Sequence, residues 1–238
     1  MPTLNSLIGL LLAMAIGYLS GAVNYAIIIT RVVAGKDIRT MGNLNPGTSN
    51  VLRTVGKGWG ILVGFLDGVK GLLPVLLAKL FLYPANTPRD LGFLYLIGIA
   101  AVLGHCRPVF YKFKGGGGIG TMQGVSLFFL PFEFLFSMLV GGLVVLRFFK
   151  NTEHPFAQWT PIMFVILTPF VALGTSLLVD IPLFSHIAIG GHSWTMVAGA
   201  LALSVLLLWL NRSFMKKRAV EYKTSAADNV GPVAGSGN

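Results

Sequence analysis

Between Asp37 and Arg53 the chain reads DIRTMGNLNPGTSNVLR. It sets two arginines, three asparagines and two glycines within seventeen positions. Guanidinium forks, side-chain amides and backbone N–H groups so close together can converge on one anion, a phosphate above all. A second polar cluster is Asp67-Gly68-Val69-Lys70-Gly71. Asp67 and Lys70 lie three apart, so on a helix they share a face, as an ion pair or as a pocket that holds Lys70 near an anion. A third runs from Gly104-His105-Cys106-Arg107-Pro108 through Lys112 and Lys114 to Gly115-Gly116-Gly117-Gly118, then Ile119-Gly120-Thr121. Glycines at a helix start let a phosphate approach the backbone, and the helix dipole favours its charge. Lys112 and Lys114 alternate with Tyr111 and Phe113 as in an extended segment.

Other chemistry is weakly signalled. His154, His186 and His192 fall in different segments from His105, so no metal site is expected. Neither a G-x-x-x-x-G-K-[ST] phosphate loop nor a G-x-S-x-G elbow occurs, and no histidine is followed five residues later by aspartate. Glu133 and Asp180 are expected at solvated turns.

The elements that must position these residues are membrane spans. Of 238 residues, 54% are hydrophobic and 11% charged, and mean hydropathy is +0.76. A soluble domain is about 25% charged, so the expectation is an all-α integral membrane protein. Apolar runs predict seven spans: Leu4–Thr30, Trp59–Tyr83, Leu91–Phe110, a short helix Ile119–Leu130 broken by Pro131, then Phe132–Phe149, Trp159–Val179 and Ser193–Leu210. The first is too long for a signal-peptide core and is read as a retained span. Residues 1–215 form one membrane domain. Residues 216–238 form a basic, then Gly/Ala/Ser-rich, disordered tail.

Net charge is +10, which in this setting points to membrane orientation rather than to nucleic acid. With the N-terminus outside, fifteen Lys and Arg side chains fall in cytoplasmic segments; only Lys79 and Arg89 lie outside, and Lys70 lies within a span. The C-terminus is then cytoplasmic, and all three polar clusters gather on the cytoplasmic face. That suggests a site where a water-soluble phosphate compound meets a lipid. The single cysteine, Cys106, excludes an intramolecular disulfide. The lack of an internal repeat argues against an inverted-repeat transporter.

Together the three clusters resemble the bacterial acyl-phosphate:glycerol-3-phosphate acyltransferase family (PlsY type). The family pattern D-x-R-x-x-G-S-G-N-x-G-x-x-N-x-x-R is matched at Asp37, Arg39, Gly42, Asn45, Gly47, Asn50 and Arg53. D-x-x-K-G is matched at Asp67, Lys70 and Gly71. G-H-x-x-P-x-F-x-x-F-K-G-G-K-G is matched at Gly104, His105, Pro108, Phe110, Phe113, Lys114, Gly115, Gly116 and Gly118. The chain departs from it at Asn43 (a serine in the family), Leu44 (a glycine) and Gly117 (a lysine). Its closing segment, Asn211-Arg212-Ser213-Phe214, is reduced.

The resemblance implies a seven-span monomer in the cell membrane that moves an acyl chain from acyl phosphate to the 1-hydroxyl of sn-glycerol 3-phosphate, with no metal or other cofactor. It implies catalytic roles for His105, Lys70 and Arg53. Phosphate binding would fall to Arg39, Gly42, Asn43, Asn45, Gly47, Asn50, Arg53, Lys114, Gly115, Gly116 and Gly118, with Asp37 and Asp67 shaping the pocket. The departures keep two alternatives open: a non-catalytic or altered-acceptor relative that binds a phosphorylated lipid, and an organic-anion transporter.

Overall fold

Asn24 ends the first apolar helix early. Its side-chain oxygen accepts the backbone N–H of Ile27 and caps a new helix, so the expected single span Leu4–Thr30 is two helices, α1 (Leu4–Ala22) and α2 (Tyr25–Ala34). The computed structural model describes residues 4–83, 87–149, 155–178 and 194–213. Within them follow α3 (Thr48–Thr54), α4 (Lys57–Phe81), α5 (Pro88–Cys106), α6 (Ile119–Phe129), α7 (Pro131–Phe148), α8 (Pro155–Leu178) and α9 (Trp194–Leu210). The α5 start is set by a capping box between Thr87 and Asp90, with Pro88 in the first turn. Pro131 ends α6 and opens α7, as the sequence predicts. The expected tail, with Lys150, His154, Asp180, His186 and His192, lies outside the described residues.

Five segments are long and apolar enough to cross a membrane: Leu7–Ala34, Lys57–Phe81, Pro88–Tyr111, Pro131–Phe148 and Trp159–Leu178. Ile119–Phe129 and Trp194–Leu210 are apolar but shorter. Many large apolar side chains face outward, among them Leu11, Ile16, Phe65, Phe81, Leu139 and Phe170. Aqueous solvent would penalise that surface, whereas lipid accepts it.

Lipid does not drive helices together by the hydrophobic effect, so close backbone packing has to. Small residues supply it. Gly17 and Gly21 of α1 lie against Ile97 and Ala101 of α5, and Gly104 lies against Tyr18 and Ala22. Gly124 of α6 meets the backbone of Gly68 in α4, and Gly71 meets Thr121. These contacts draw α1 onto α5 and α4 onto α6. A side chain at Gly124 would collide with the Gly68 carbonyl. Gly124→Leu is therefore expected to lower stability by about 1–3 kcal/mol or more through overpacking. Gly142→Leu, with nothing within 4 Å of its added Cβ, is the control. Thermal unfolding in detergent measures both, and equal midpoints would contradict this packing.

Glu133 corrects the sequence reading. It is buried rather than solvated, and the Thr175 hydroxyl of α8 donates to its Oε1 at 2.7 Å. A carboxylate in an apolar setting requires such partners.

Candidate active site

The loop after α2 is built from its own side chains. Asp37 caps a 3-10 turn over Ile38–Thr40 and binds Arg39 through Nε (3.0 Å) and Nη2 (2.7 Å); Arg31 approaches the same carboxylate at 2.7 Å. The Arg39 hydrogen bonds hold the Asp37 carboxyl well below the usual carboxylate range, against an opposing effect of burial. This pairing stabilises the loop at every pH above about 3.9, the ordinary aspartate pKa, and is lost only as acid titrates the carboxyl below that range. Arg39 also lies over the Tyr111 ring, which ties this loop to the one after α5.

Asn50 is the buried centre of the loop. Its Nδ2 donates to Ile38 and Met41 carbonyls at 3.3 and 2.9 Å, and its Oδ1 accepts the Asn43 N–H at 3.2 Å. Gly42 has φ +54, and a Cβ there would collide with Asn50 Oδ1. Leu44, where the family pattern has glycine, holds φ +64, a conformation that disfavours a side chain by about 1–2 kcal/mol.

Under this loop, α4 and α5 place a chain of ionisable groups. Lys70 Nζ lies 2.7 Å from Asp67 Oδ1 and donates to the Val23 carbonyl at 2.7 Å, both side chains being buried. Thus α4 is pinned to the α1–α2 break, and the expected shared face is an ion pair. His105 is also buried, with Nδ1 3.7 Å from Asp67 Oδ1 and 3.0 Å from Thr121 Oγ1.

The glycine run folds differently from the expectation of an open phosphate cradle. Gly115 and Gly116 donate their N–H groups to the carbonyls of Cys106 and His105, covering the end of α5. Gly116 packs against the His105 ring and the Pro46 carbonyl, where no side chain would fit. Gly118, at φ +79, starts α6. The segment before it is coiled rather than extended: a 3-10 turn spans Val109–Tyr111, and Lys112 and Phe113 have φ +54 and +58. Lys114 is exposed.

These pieces enclose a cavity of about 270 Å³. Of the anticipated site residues, Asn43, Asn45, Gly47, Asp67, His105 and Gly118 line it; Asp37, Arg39, Gly42, Asn50, Arg53, Lys70, Lys114, Gly115 and Gly116 stand behind or outside its walls. Thr48, Ser49, Gln123 and Asn211 add polar groups that the sequence reading did not assign. Leu52, Ile162, Val165 and Leu207 make the rest of the wall apolar. Among the described residues, Ser49 Oγ and Nη2 of Arg53 lack a hydrogen-bond partner, as does Asp67 Oδ1. Buried donors of this kind are primed for a ligand acceptor. Among the described residues no three His, Cys, Asp or Glu side chains converge as a metal site would need.

The class defined by fold and site is a multi-pass helical membrane protein with a cavity polar at the loops and apolar between helices. The chain belongs to the glycerol-3-phosphate acyltransferase family, whose sequence profile matches residues 11–219. A glycerol-3-phosphate acyltransferase of Mycoplasma mycoides is 38% identical over 133 residues, covering 56% of this chain and 51% of that protein. One from Legionella pneumophila is 39% identical over 160 residues, covering 66% and 53%. One from Albidiferax ferrireducens is 38% identical over 157 residues, covering 65% and 67%. The match thus spans about half the length of the first two relatives. Crystal structures of PlsY, an integral membrane glycerol 3-phosphate acyltransferase, superpose over 90% of this chain and 93% of theirs. The glycerol 3-phosphate form gives a TM-score of 0.65 at 28% identity, the lysophosphatidic acid form 0.64 at 25%.

Proposed function

We propose that this chain transfers an acyl group from an acyl phosphate to the 1-hydroxyl of sn-glycerol 3-phosphate, releasing lysophosphatidic acid and phosphate. The observation that carries the reading is the two-sided cavity. Amides, hydroxyls, Asp67 and His105 line one part of it, and side chains of α8 and α9 give the other an apolar wall suited to an acyl tail. Membership of the family, and the glycerol 3-phosphate and lysophosphatidic acid forms of the superposable PlsY structures, support it.

The acceptor hydroxyl oxygen attacks the acyl carbon, the bond from that carbon to the phosphate oxygen breaks, and phosphate leaves. A phosphate oxygen of either substrate takes the hydroxyl proton. A mixed anhydride is reactive enough that positioning and charge neutralisation can carry the rate without a protein nucleophile, metal or nucleotide. Asn43, Asn45 and Ser49 contact a substrate phosphate from the cavity wall, and Arg53, behind that wall with Nη2 unpartnered, turns its guanidinium to the same charge. His105 faces the reacting carbonyl or leaving phosphate, and Lys70 holds Asp67 in place. The membrane arrangement in this proposal has seven spans, N-terminus outside and C-terminus cytoplasmic. The site opens to the cytoplasmic face of the cell membrane, and the chain acts as a monomer among lipids.

Acyl transfer with palmitoyl phosphate compared with palmitoyl-CoA tests the donor. The proposal expects lysophosphatidic acid with the first; formation only with the thioester would overturn it.

Gly117 favours a second reading, a relative with altered acceptor binding, because the family lysine is missing from a cavity wall. A Cβ at Gly117 would meet only Asn211 Oδ1, at 3.4 Å, so a side chain fits. A lysine there would add one charge-assisted contact of about 1.5–3 kcal/mol. Gly117→Lys is expected to lower the KM for glycerol 3-phosphate about tenfold. An unchanged KM, read from initial rates, would show that the acceptor phosphate binds elsewhere.

A further inference from the structure

Thr121 has no part in the reading above, yet it is fully buried and its hydroxyl meets His105 Nδ1 at 3.0 Å. A helical threonine usually turns its hydroxyl to the carbonyl four residues back. Thr54 and Thr168 do so here, with Asn50 and Phe164. For Thr121 that carbonyl belongs to Gly117. It instead accepts from Asn211 Nδ2 at 2.9 Å, and the same amide donates to the Leu207 carbonyl at 2.9 Å. Among the described residues the Thr121 hydroxyl has one partner, His105 Nδ1.

That partnership decides which ring nitrogen carries the proton. Were Nδ1 protonated, it would donate to Thr121 Oγ1 and leave the hydroxyl hydrogen buried without an acceptor. Asp67 Oδ1, 3.7 Å from Nδ1, is beyond hydrogen-bond range. The satisfied arrangement has the hydroxyl donating to a bare Nδ1, which places the ring proton on Nε2. That edge of the ring faces Gly116, beside the Pro46 carbonyl at the meeting of the two loops.

We propose that Thr121 is a positioning residue that fixes His105 in its Nε2–H tautomer, so that the ring acts as a hydrogen-bond donor to a substrate oxygen and not as a general base. The inference rests on the reading of His105 as an active-site group. It explains why a glycine is needed at position 116: only a backbone without Cβ leaves Nε2 uncovered.

The test uses full-length protein in nanodiscs, labelled with nitrogen-15 in histidine, the His105 resonances being assigned by their loss in His105→Gln. The expected spectrum is that of a neutral ring protonated at Nε2. Thr121→Val should shift the Nδ1 resonance and lower kcat about ten- to hundredfold with the acceptor KM little changed. Thr121→Ser should restore both signal and rate. A wild-type ring protonated at Nδ1, or at both nitrogens near neutral pH, would overturn the proposal, as would a Thr121→Val spectrum identical to wild type. An Nε2–H ring in a protein that transfers no acyl group would uphold the tautomer and count against the acyltransferase reading instead.

Discussion

Arg53→Ala is expected to reduce kcat/KM for the acceptor about 10²–10³-fold, the usual loss when one preorganised donor is removed from a charged transition state. The three arginines around this loop are not equivalent. Arg31 and Arg39 are both committed to Asp37, whereas Nη2 of Arg53 is buried with no hydrogen-bond partner among the described residues. An uncompensated guanidinium nitrogen is costly unless a ligand completes it. Its removal should therefore affect turnover far more than thermal stability. Arg53→Lys keeps the charge but loses the fork, and should fall between the two. Full activity in Arg53→Ala, from steady-state rates on protein of unchanged melting temperature, would remove Arg53 from phosphate binding. Arg39→Ala is the useful comparison. It frees Asp37 and loosens the loop, so its main effect should be on stability in the pH range where Asp37 is ionised.

The second large effect is expected at Asp67. Asp67→Leu leaves the Lys70 ammonium buried without a counter-charge, beside the Val23 carbonyl and the Tyr25 ring. Breaking a buried pair from one side destabilises by about 3–5 kcal/mol. Replacing both groups, Asp67→Leu with Lys70→Met, removes the stranded charge and should recover most of the stability. Activity should not return in the double variant, because Asp67 lines the cavity beside His105. Chemical denaturation and acyl transfer measured on the same preparations separate the two effects. A single variant as stable as wild type would mean that Lys70 finds another anion. An active double variant would mean that the pair serves only the fold.

Much of this arrangement is legible in the chain. The polar clusters stand out because charge and amides are rare in a sequence with 11% charged residues, and each cluster reaches one end of the helix bundle. Pro131 marks the α6–α7 turn because it lacks the N–H needed to continue a helix. The spacing of Asp67 and Lys70 reads directly as one helix face.

The rest fails for definable reasons. Asn24 sits in an apolar run, so its capping of α2 is invisible until the helix is seen to restart at Tyr25. The glycine run looks like an anion cradle, but two of its N–H groups close onto the end of α5, a choice made by tertiary packing of Gly116 on His105. That Asp37, two residues earlier, binds Arg39 is not signalled by the residue types alone. Glu133 seems fit for solvent beside a turn, and only the approach of α8 brings Thr175 to it. The hydroxyl of Thr121 and the amide of Asn211 lie 16 and 94 residues from their partners, His105 and Gly117, and no local pattern signals either pairing.

The most direct test of the acyltransferase reading uses purified protein in liposomes, with palmitoyl phosphate and glycerol 3-phosphate, following phosphate and lysophosphatidic acid together. The account predicts that both form in equal amounts and only when the acceptor is present. Phosphate released without lipid product, or neither product from a folded sample, would contradict it.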